Sequence, residues 1–503
     1  MQAGIKRAAV VGSGAMGRGI AQVCAAAGMS VALVDVDRSV AEGARAAIGK
    51  GLDADVAKGR LDKETAARIM GSLEAADSLA SLKGVPLVIE AIVEDLGAKR
   101  KLLEALEAVV GDECILASNT SSLSITALAA ACRRPERVAG MHFFNPVPRM
   151  KLVEVIQALK TDPAVVDTLE AVGRAIGKEV VRVQDTPGFL VNQVGRGYTL
   201  EAVNVVGEGV ASFAEVDRVM REAAGFRMGP FELLDLIGLD VNHPATEMIY
   251  GQFYHEPRYR PSALMDMRVR ARVLGRKTGE GYYPYGEGAA PPPPAPPAPA
   301  ERPASVWVSQ AVPQAAQAVA ELAARLGAKV ETGGAPSPRA LCVVTPIGRD
   351  ASRSAASEGL DPVRTVAIDA LFGLDTHRTL MTTCVTGEVW RTAAHGLFGA
   401  DGVPVTVVRD SPGFIAQRIV AMIINIGGAL AQARTASPAD IDRAVTLGLA
   451  YPHGPLGFAN LLGPDRTGML LHGLYDSYGD PRYRPSPWLA RRAALGLDFS
   501  EGD

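Results

Sequence analysis

Few features of this chain suggest metal, disulfide or membrane chemistry. Its 503 residues include only five cysteines and seven histidines. Cys24, Cys114, Cys132, Cys342 and Cys384 are scattered with no CxxC pair, so they read as reduced, packed thiols of a cytoplasmic protein. No HxxxH or HExxH pattern occurs, which leaves no candidate metal site. The net charge of −3 gives no basic face for a nucleic acid. No apolar run is long enough to span a bilayer. The opening MQAGIKRAAVVGSG makes a poor signal peptide, because its short apolar run leads straight into a glycine motif.

What is present is a core-forming composition, 48% hydrophobic and 21% charged, in a chain long enough for several domains. Residues 289–300, AAPPPPAPPAPA, cannot pack as helix or sheet and read as a semi-rigid linker. Before it, RAAVVGSG, SVALVDVD, PLVIEAIVE, CILASNTSS and RVAGMHFFNP are short apolar runs ending in polar loops. Buried strands separated by helical segments predict a parallel α/β sheet with helices on both faces. From about Asp185 the pattern becomes amphipathic and helical.

The second part of the chain hides a repeat. DTPGFLVNQV from Asp185 recurs as DSPGFIAQRI from Asp410, and EVDRVM around Asp217 recurs as DIDRAV around Asp442. GFRMGPFELLDLIG from Gly225 recurs as AYPHGPLGFANLLG from Ala450, and PRYRPS occurs at Pro257 and Pro481. The helical domain is therefore duplicated. The predicted layout is a Rossmann-type α/β domain over 1–184, an all-α domain over 185–285, and a linker over 286–303. A degenerate α/β unit over 304–408 and a second helical copy over 409–503 complete it. The runs ALCVVTP, TVAIDAL and VPVTVV supply strands to the degenerate unit, which has no glycine-rich turn.

Gly12-Ser13-Gly14-Ala15-Met16-Gly17 follows a strand and opens a helix, as a GxGxxG dinucleotide site requires. The diphosphate would sit on the free amides of that helix. Asp35 ends the next strand, where a carboxylate binds ribose hydroxyls and repels a 2′-phosphate, so NAD is expected over NADP. Arg38 is the one opposing signal, and it also reads as a solvated loop residue.

Oxidising an alcohol by hydride transfer needs a base for the hydroxyl proton. His142 is the only histidine ahead of His243, and it stands at the end of an apolar strand. Imidazole as a class titrates near neutrality. Glu154, in MKLVEVI, could orient the ring and stabilise the imidazolium. On spacing alone, a lone histidine beside two phenylalanines reads equally well as a satisfied core residue.

SNTSS, HFFNPVPRMKLVEV, DTPGFLVNQV, GFRMGPFELLDLIGLD and GRKTGEGYY, in this order, resemble the 3-hydroxyacyl-CoA dehydrogenases. The resemblance covers about residues 5–285 and returns, degraded, over 409–496. It implies that His142 is the general base and Glu154 its partner, with Ser121 and Asn192 binding substrate. It also implies cofactor contacts from Glu94, Lys99, Ser121, Asn145 and Lys277, alongside the glycine-rich turn and Asp35. Lys277 reads equally as an ordinary charged loop residue. The layout is similar to that of the duplicated members from phenylacetate degradation, which implies a short-chain (S)-3-hydroxyacyl-CoA such as 3-hydroxybutyryl- or 3-hydroxyadipyl-CoA. Two alternatives are a Rossmann dehydrogenase of free 3-hydroxy acids, which usually relies on a catalytic lysine, and a non-catalytic structural relative. Lys50 and Lys58 are candidates for the CoA phosphate, though solvated helix charges explain them equally. The second copy has Gln417 where Asn192 stands, no HFFNP and no GxGxxG, so no second active site is expected. The two helical copies are expected to pair within the chain, with a homodimer as the alternative.

Overall fold

The structure is a computed structural model and describes residues 4–502. Two compact units divide the chain. One holds the residues up to Asn192 together with Ala433–Leu449; the other holds Gln193–Gln432 and the residues from Ala450 on.

The first unit is built on β1 (Arg7–Val11), β2 (Ser30–Val34), β3 (Leu73–Ala75), β4 (Leu87–Glu90), β5 (Ile115–Ser118), β6 (Val138–Phe143), β7 (Leu152–Gln157) and β8 (Glu179–Gln184). Their order is β3-β2-β1-β4-β5-β6-β7-β8. β1, β2, β4 and β5 are buried along nearly their whole length, as expected of strands covered on both faces. All neighbours are parallel except β6 and β7, which pair antiparallel. That departs from the all-parallel expectation. The connection Phe144–Lys151 is too short for the crossover a parallel pair needs, so the chain turns back as a hairpin. The hairpin sets His142 directly opposite Glu154.

The second unit contains β9 (Ser305–Val308), β10 (Val330–Glu331), β11 (Ala340–Val344), β12 (Thr365–Ile368), β13 (Arg378–Thr382) and β14 (Val405–Val408), ordered β10-β9-β11-β12-β13-β14. Only β12 and β13 are antiparallel. This is the first sheet with the counterparts of β3 and β4 deleted: β9 and β10 match β1 and β2, and β11–β14 match β5–β8.

The helical copies also match element for element. Val191–Gly207, Phe213–Glu222, Pro230–Ile237 and Leu239–Gln252 recur as Ala416–Gln432, Pro438–Leu449, Pro455–Leu462 and Pro464–Tyr478. Gly229 and Gly454 precede the N1 prolines. Asp217 caps the first of these starts by accepting from the Phe231 and Glu232 amides at 2.8 and 3.0 Å. Within the second unit the long helices of the two copies pack on each other. A Cβ added to Gly197 would lie 3.1–3.3 Å from Met422, Ile423 and Ile426. Fully buried Arg418 reaches Glu201, makes two 2.6 Å bonds to Glu208, and donates to the Tyr483 hydroxyl at 2.9 Å.

Pro438–Leu449 is the exception to this pairing. It packs on β7 and β8 of the first unit. Its counterpart Phe213–Glu222 lies on the second sheet's side, where Glu222 meets His377 at 2.8 Å. The stretch 289–300 has no regular structure and is mostly exposed. Four cysteines are buried, but Cys384 is exposed, contrary to the expectation that all are packed; it sits in the turn between β13 and Glu388–Phe398. Among the described residues, no helix is long and apolar enough to cross a membrane.

Candidate active site

The glycine-rich turn has the backbone that its sequence demands. Gly12 lies at φ +94°, and a Cβ there would fall 2.6 Å from the Ala91 carbonyl. A Cβ on Gly17 would lie 1.8 Å from the Gly12 oxygen, so only glycine lets helix Ala15–Ala26 close on the turn. Gly14 faces open space and caps that helix with no side-chain bond. Ala15 and Met16 form the helix's first turn, which contains no acidic residue, so its free amides suit a diphosphate. Asp35 follows β2 and accepts from the Ser13 amide (2.7 Å), the Ser13 hydroxyl (2.5 Å) and the Val36 amide (2.8 Å). Burial works to raise its carboxyl, but these bonds outweigh it and hold the group below the usual range. Arg38 is exposed and engaged by Glu42 at 2.7 Å and by Asp77. The residues present fit a dinucleotide with a free ribose 2′-hydroxyl.

His142 and Glu154 face each other across β6 and β7. The imidazole Nδ1 lies 2.6 Å from Glu154 Oε2, with Glu154 wholly buried and His142 5% exposed. The second carboxylate oxygen accepts from the Leu190 and Val191 amides at 3.2 and 3.0 Å. Those amides start the helix Val191–Gly207, so a helix N-terminus compensates the buried charge. Phe144 and Phe189 flank the ring at 4.5 and 5.7 Å between centroids. With the carboxylate accepting from Nδ1–H, Nε2 keeps its lone pair and can take a proton.

Ser121 and Asn192 meet directly: the Asn192 Nδ2 donates to the Ser121 carbonyl at 3.1 Å. Although it opens the helical segment, Asn192 belongs to the same compact unit as His142. Glu94 Oε1 accepts from the Thr120 hydroxyl (2.6 Å), the Ser121 amide (2.9 Å) and the Ser122 hydroxyl (2.9 Å). Burial acts to raise the Glu94 carboxyl, but these donors and Lys99 together hold it low. Lys99 itself is interior, 1% exposed, between Glu90 at 2.5 Å and Glu94 at 3.4 Å. Its ammonium is thus held between these two carboxylates and also donates to the Ile92 carbonyl at 3.3 Å. Asn145 is exposed beyond β6, at the cis Asn145–Pro146 peptide. Lys277 is in the other unit, ion-paired with Asp240 at 2.5 Å. Lys50 and Lys58 are exposed.

Three further residues support the site without having been expected to take part in it. Glu90, fully buried, binds Lys99 and the Ser118 hydroxyl and so fixes the ends of β4 and β5. Asn119 Oδ1 accepts the Phe143 amide at 2.9 Å and aligns the residue after His142. Asp185 accepts from the Ser124 hydroxyl and the Ile125 and Thr126 amides. Asn119 lies within SNTSS and Asp185 within the repeated DTPGFLVNQV, whereas Glu90 stands in a plain strand run with no such signal.

The sequence model for the NAD-binding domain of 3-hydroxyacyl-CoA dehydrogenases matches residues 7–186. The model for their C-terminal domain matches twice, over 188–285 and 413–498. The chain belongs to the 3-hydroxyacyl-CoA dehydrogenase family. It is an NAD-dependent oxidoreductase acting on CH–OH groups. The Escherichia coli 3-hydroxyadipyl-CoA dehydrogenase is 37% identical over 98% of this chain and 99% of its own length. A Clostridioides difficile 3-hydroxybutyryl-CoA dehydrogenase is 42% identical over 55% of this chain and 98% of its own. A crystal structure of an E. coli 3-hydroxybutyryl-CoA dehydrogenase aligns with a TM-score of 0.87 at 36% identity, covering 98% of this chain and 99% of that one.

The second half of this dehydrogenase keeps the scaffold and loses the groups. Met381 pairs with Val408 as Ile156 pairs with Val183, each shortly before the repeated aspartate. That register puts Thr379 where Glu154 stands and Asp369 where His142 stands. Gln417, in place of Asn192, donates to Asp369 at 2.9 Å. Burial raises the Asp369 carboxyl to about 6, against bonds from Gln417, Leu371 and Phe372. Its Oδ2 has no hydrogen-bond partner. No imidazole stands at this position, and the chain after β9 continues as Ser309, Gln310, Ala311 and Val312 with no glycine.

Proposed function

We propose that the dehydrogenase oxidises the C3 hydroxyl of a short-chain (S)-3-hydroxyacyl-CoA to the 3-oxoacyl-CoA, with His142 as general base and Glu154 as its partner. The observation that carries this reading is the cross-strand pair itself: an imidazole held by Nδ1 on a buried carboxylate that a helix N-terminus anchors. The hydroxyl proton passes to His142 Nε2, and Glu154 stabilises the imidazolium that results. NAD, when bound, supplies the hydride acceptor. Ser121 and Asn192 offer donors to the substrate's oxygens as the alcohol becomes a carbonyl. Glu94, fixed by Thr120, Ser122 and Lys99, holds the Ser121 loop in place. Asp35 accepts from the adenosine ribose and disfavours a 2′-phosphate.

A relative that aligns over nearly the whole chain is a 3-hydroxyadipyl-CoA dehydrogenase, which supports that thioester as substrate. In this reading the second half is a structural partner and not a second catalyst. The test is NADH formation from 3-hydroxybutyryl-CoA, 3-hydroxyadipyl-CoA and free 3-hydroxybutyrate. Activity is expected with thioesters only; equal turnover of the free acid overturns the proposal.

A further inference from the structure

The Glu154 carboxylate is held by two backbone amides on one oxygen and faces the His142 ring with the other. Glu154 sits two residues into β7 from Leu152, and one of its two amide donors is Val191. Leu152 and Val191 are fully or almost fully buried. What covers them comes from the second helical copy. A Cβ added to Gly448 would lie 2.9 Å from Leu152 Cδ2 and 3.2 Å from both Val191 methyls. The same segment is fastened to β8, the other neighbour of β7: the Gln184 amide donates to the Thr435 carbonyl at 2.8 Å, and Arg443 donates to the Val180 carbonyl at 3.2 Å. Val181, next to Val180, pairs with Glu154 in the β7–β8 register. At the matching place in the first copy stands Ala223, not glycine, with its methyl against Gly373. The glycine at 448 is thus a feature of the copy that has no catalytic histidine of its own.

We infer that Gly448 is a positioning residue for the first copy's reaction, acting through Leu152 and Val191 on Glu154. Lacking a side chain, it lets the helix Pro438–Leu449 close on both residues, which keeps the Val191 and Leu190 amides aimed at Glu154 Oε1 and hence Oε2 aimed at His142. The second copy therefore does more than cover an apolar face. It completes the mounting of the catalytic carboxylate. This inference rests on Glu154 being the partner of His142.

The experiment is a graded series in the full chain, Gly448→Ala, Gly448→Val and Gly448→Leu, with Glu154→Gln, Glu154→Gln/Gly448→Leu and Leu152→Ala/Gly448→Leu alongside. kcat is expected to fall with side-chain volume, by roughly 10–100-fold for leucine, the scale of an ångström-sized misplacement. NADH affinity should stay within about twofold, because the glycine-rich turn is on β1, away from β7. The pH–rate profile should shift toward that of Glu154→Gln, and Leu152→Ala should recover part of the loss. In the Glu154→Gln background leucine at 448 should cost less than about threefold more, since groups acting as one unit are not additive. Full kcat in the valine or leucine variant overturns the inference. So does a loss that multiplies with Glu154→Gln, or NADH affinity that falls in step with kcat at alanine and valine. If Glu154→Gln alone leaves rate and pH profile unchanged, it is the catalytic reading that fails, whatever Gly448 does.

Discussion

Replacing Glu154 by glutamine keeps the volume and removes the charge, and the geometry around it fixes the consequence. Oε1 accepts two backbone amides and Oε2 faces His142 Nδ1 at 2.6 Å. A glutamine can satisfy one side only. With its carbonyl toward Leu190 and Val191, its NH2 faces Nδ1, which must then accept, and the proton moves to Nε2. That tautomer has no lone pair for the substrate hydroxyl. With the amide reversed, the NH2 group opposes two N–H donors in a site that is wholly buried. An unsatisfied buried donor costs about 1–3 kcal/mol, roughly a 5–150-fold bias against the productive arrangement. Loss of the negative charge beside the developing imidazolium adds to this. Together the terms give a kcat lower by roughly 10²–10⁴-fold, the range seen when a base loses its orienting carboxylate. The assay is NADH formation with saturating acyl-CoA across pH, with NADH affinity measured in parallel and expected to be unchanged. A Glu154→Gln enzyme within about threefold of the parent at every pH, on the same profile, would refute the reasoning.

Asp35→Ser should relax the preference for NAD over NADP, because it removes both the carboxylate that repels a 2′-phosphate and the acceptor pinned by Ser13; an unchanged ratio of kcat/KM values counts against the assigned ribose contact. Asp369 tests the relic half through pH. Its folded carboxyl is raised from 3.8 to about 6, so the native state keeps a proton that the unfolded chain releases, and this contribution to stability is lost as pH rises from about 4 to about 6. The shift corresponds to about 3 kcal/mol. Urea midpoints of Asp369→Asn should therefore gain on the parent as pH rises through that window; parallel curves would show that burial does not govern this carboxyl.

The parts legible in the sequence were those in which a residue type is dictated locally. The Gly12 and Gly17 backbone admits no side chain, so GxGxxG and the strand before it could be read directly. The repeat, visible in four matched blocks, reveals the second helical copy and the absence there of a counterpart to His142. The β6–β7 hairpin is not legible in the run MKLVEVI, which looks the same whether it pairs parallel or antiparallel; the shortness of the connection decides it. For Lys99 the resemblance implies a cofactor contact, whereas Glu90 and Glu94, distant from it by a strand and a turn, draw its ammonium into the interior. The attachment of Pro438–Leu449 to the first sheet had no local signal at all, since it depends on a contact between Gly448 and residues Leu152 and Val191, far apart in the chain.

The central claim is that His142 takes the substrate's hydroxyl proton. The direct measurement is the single-turnover rate of NADH formation by His142→Ala with saturating NAD and 3-hydroxyacyl-CoA. A rate lower by roughly 10²–10⁴-fold, with NADH affinity unchanged because the ring is on β6 and not in the Gly12–Gly17 turn after β1, is the result expected. Formation of NADH at the parent rate near neutral pH would contradict the account.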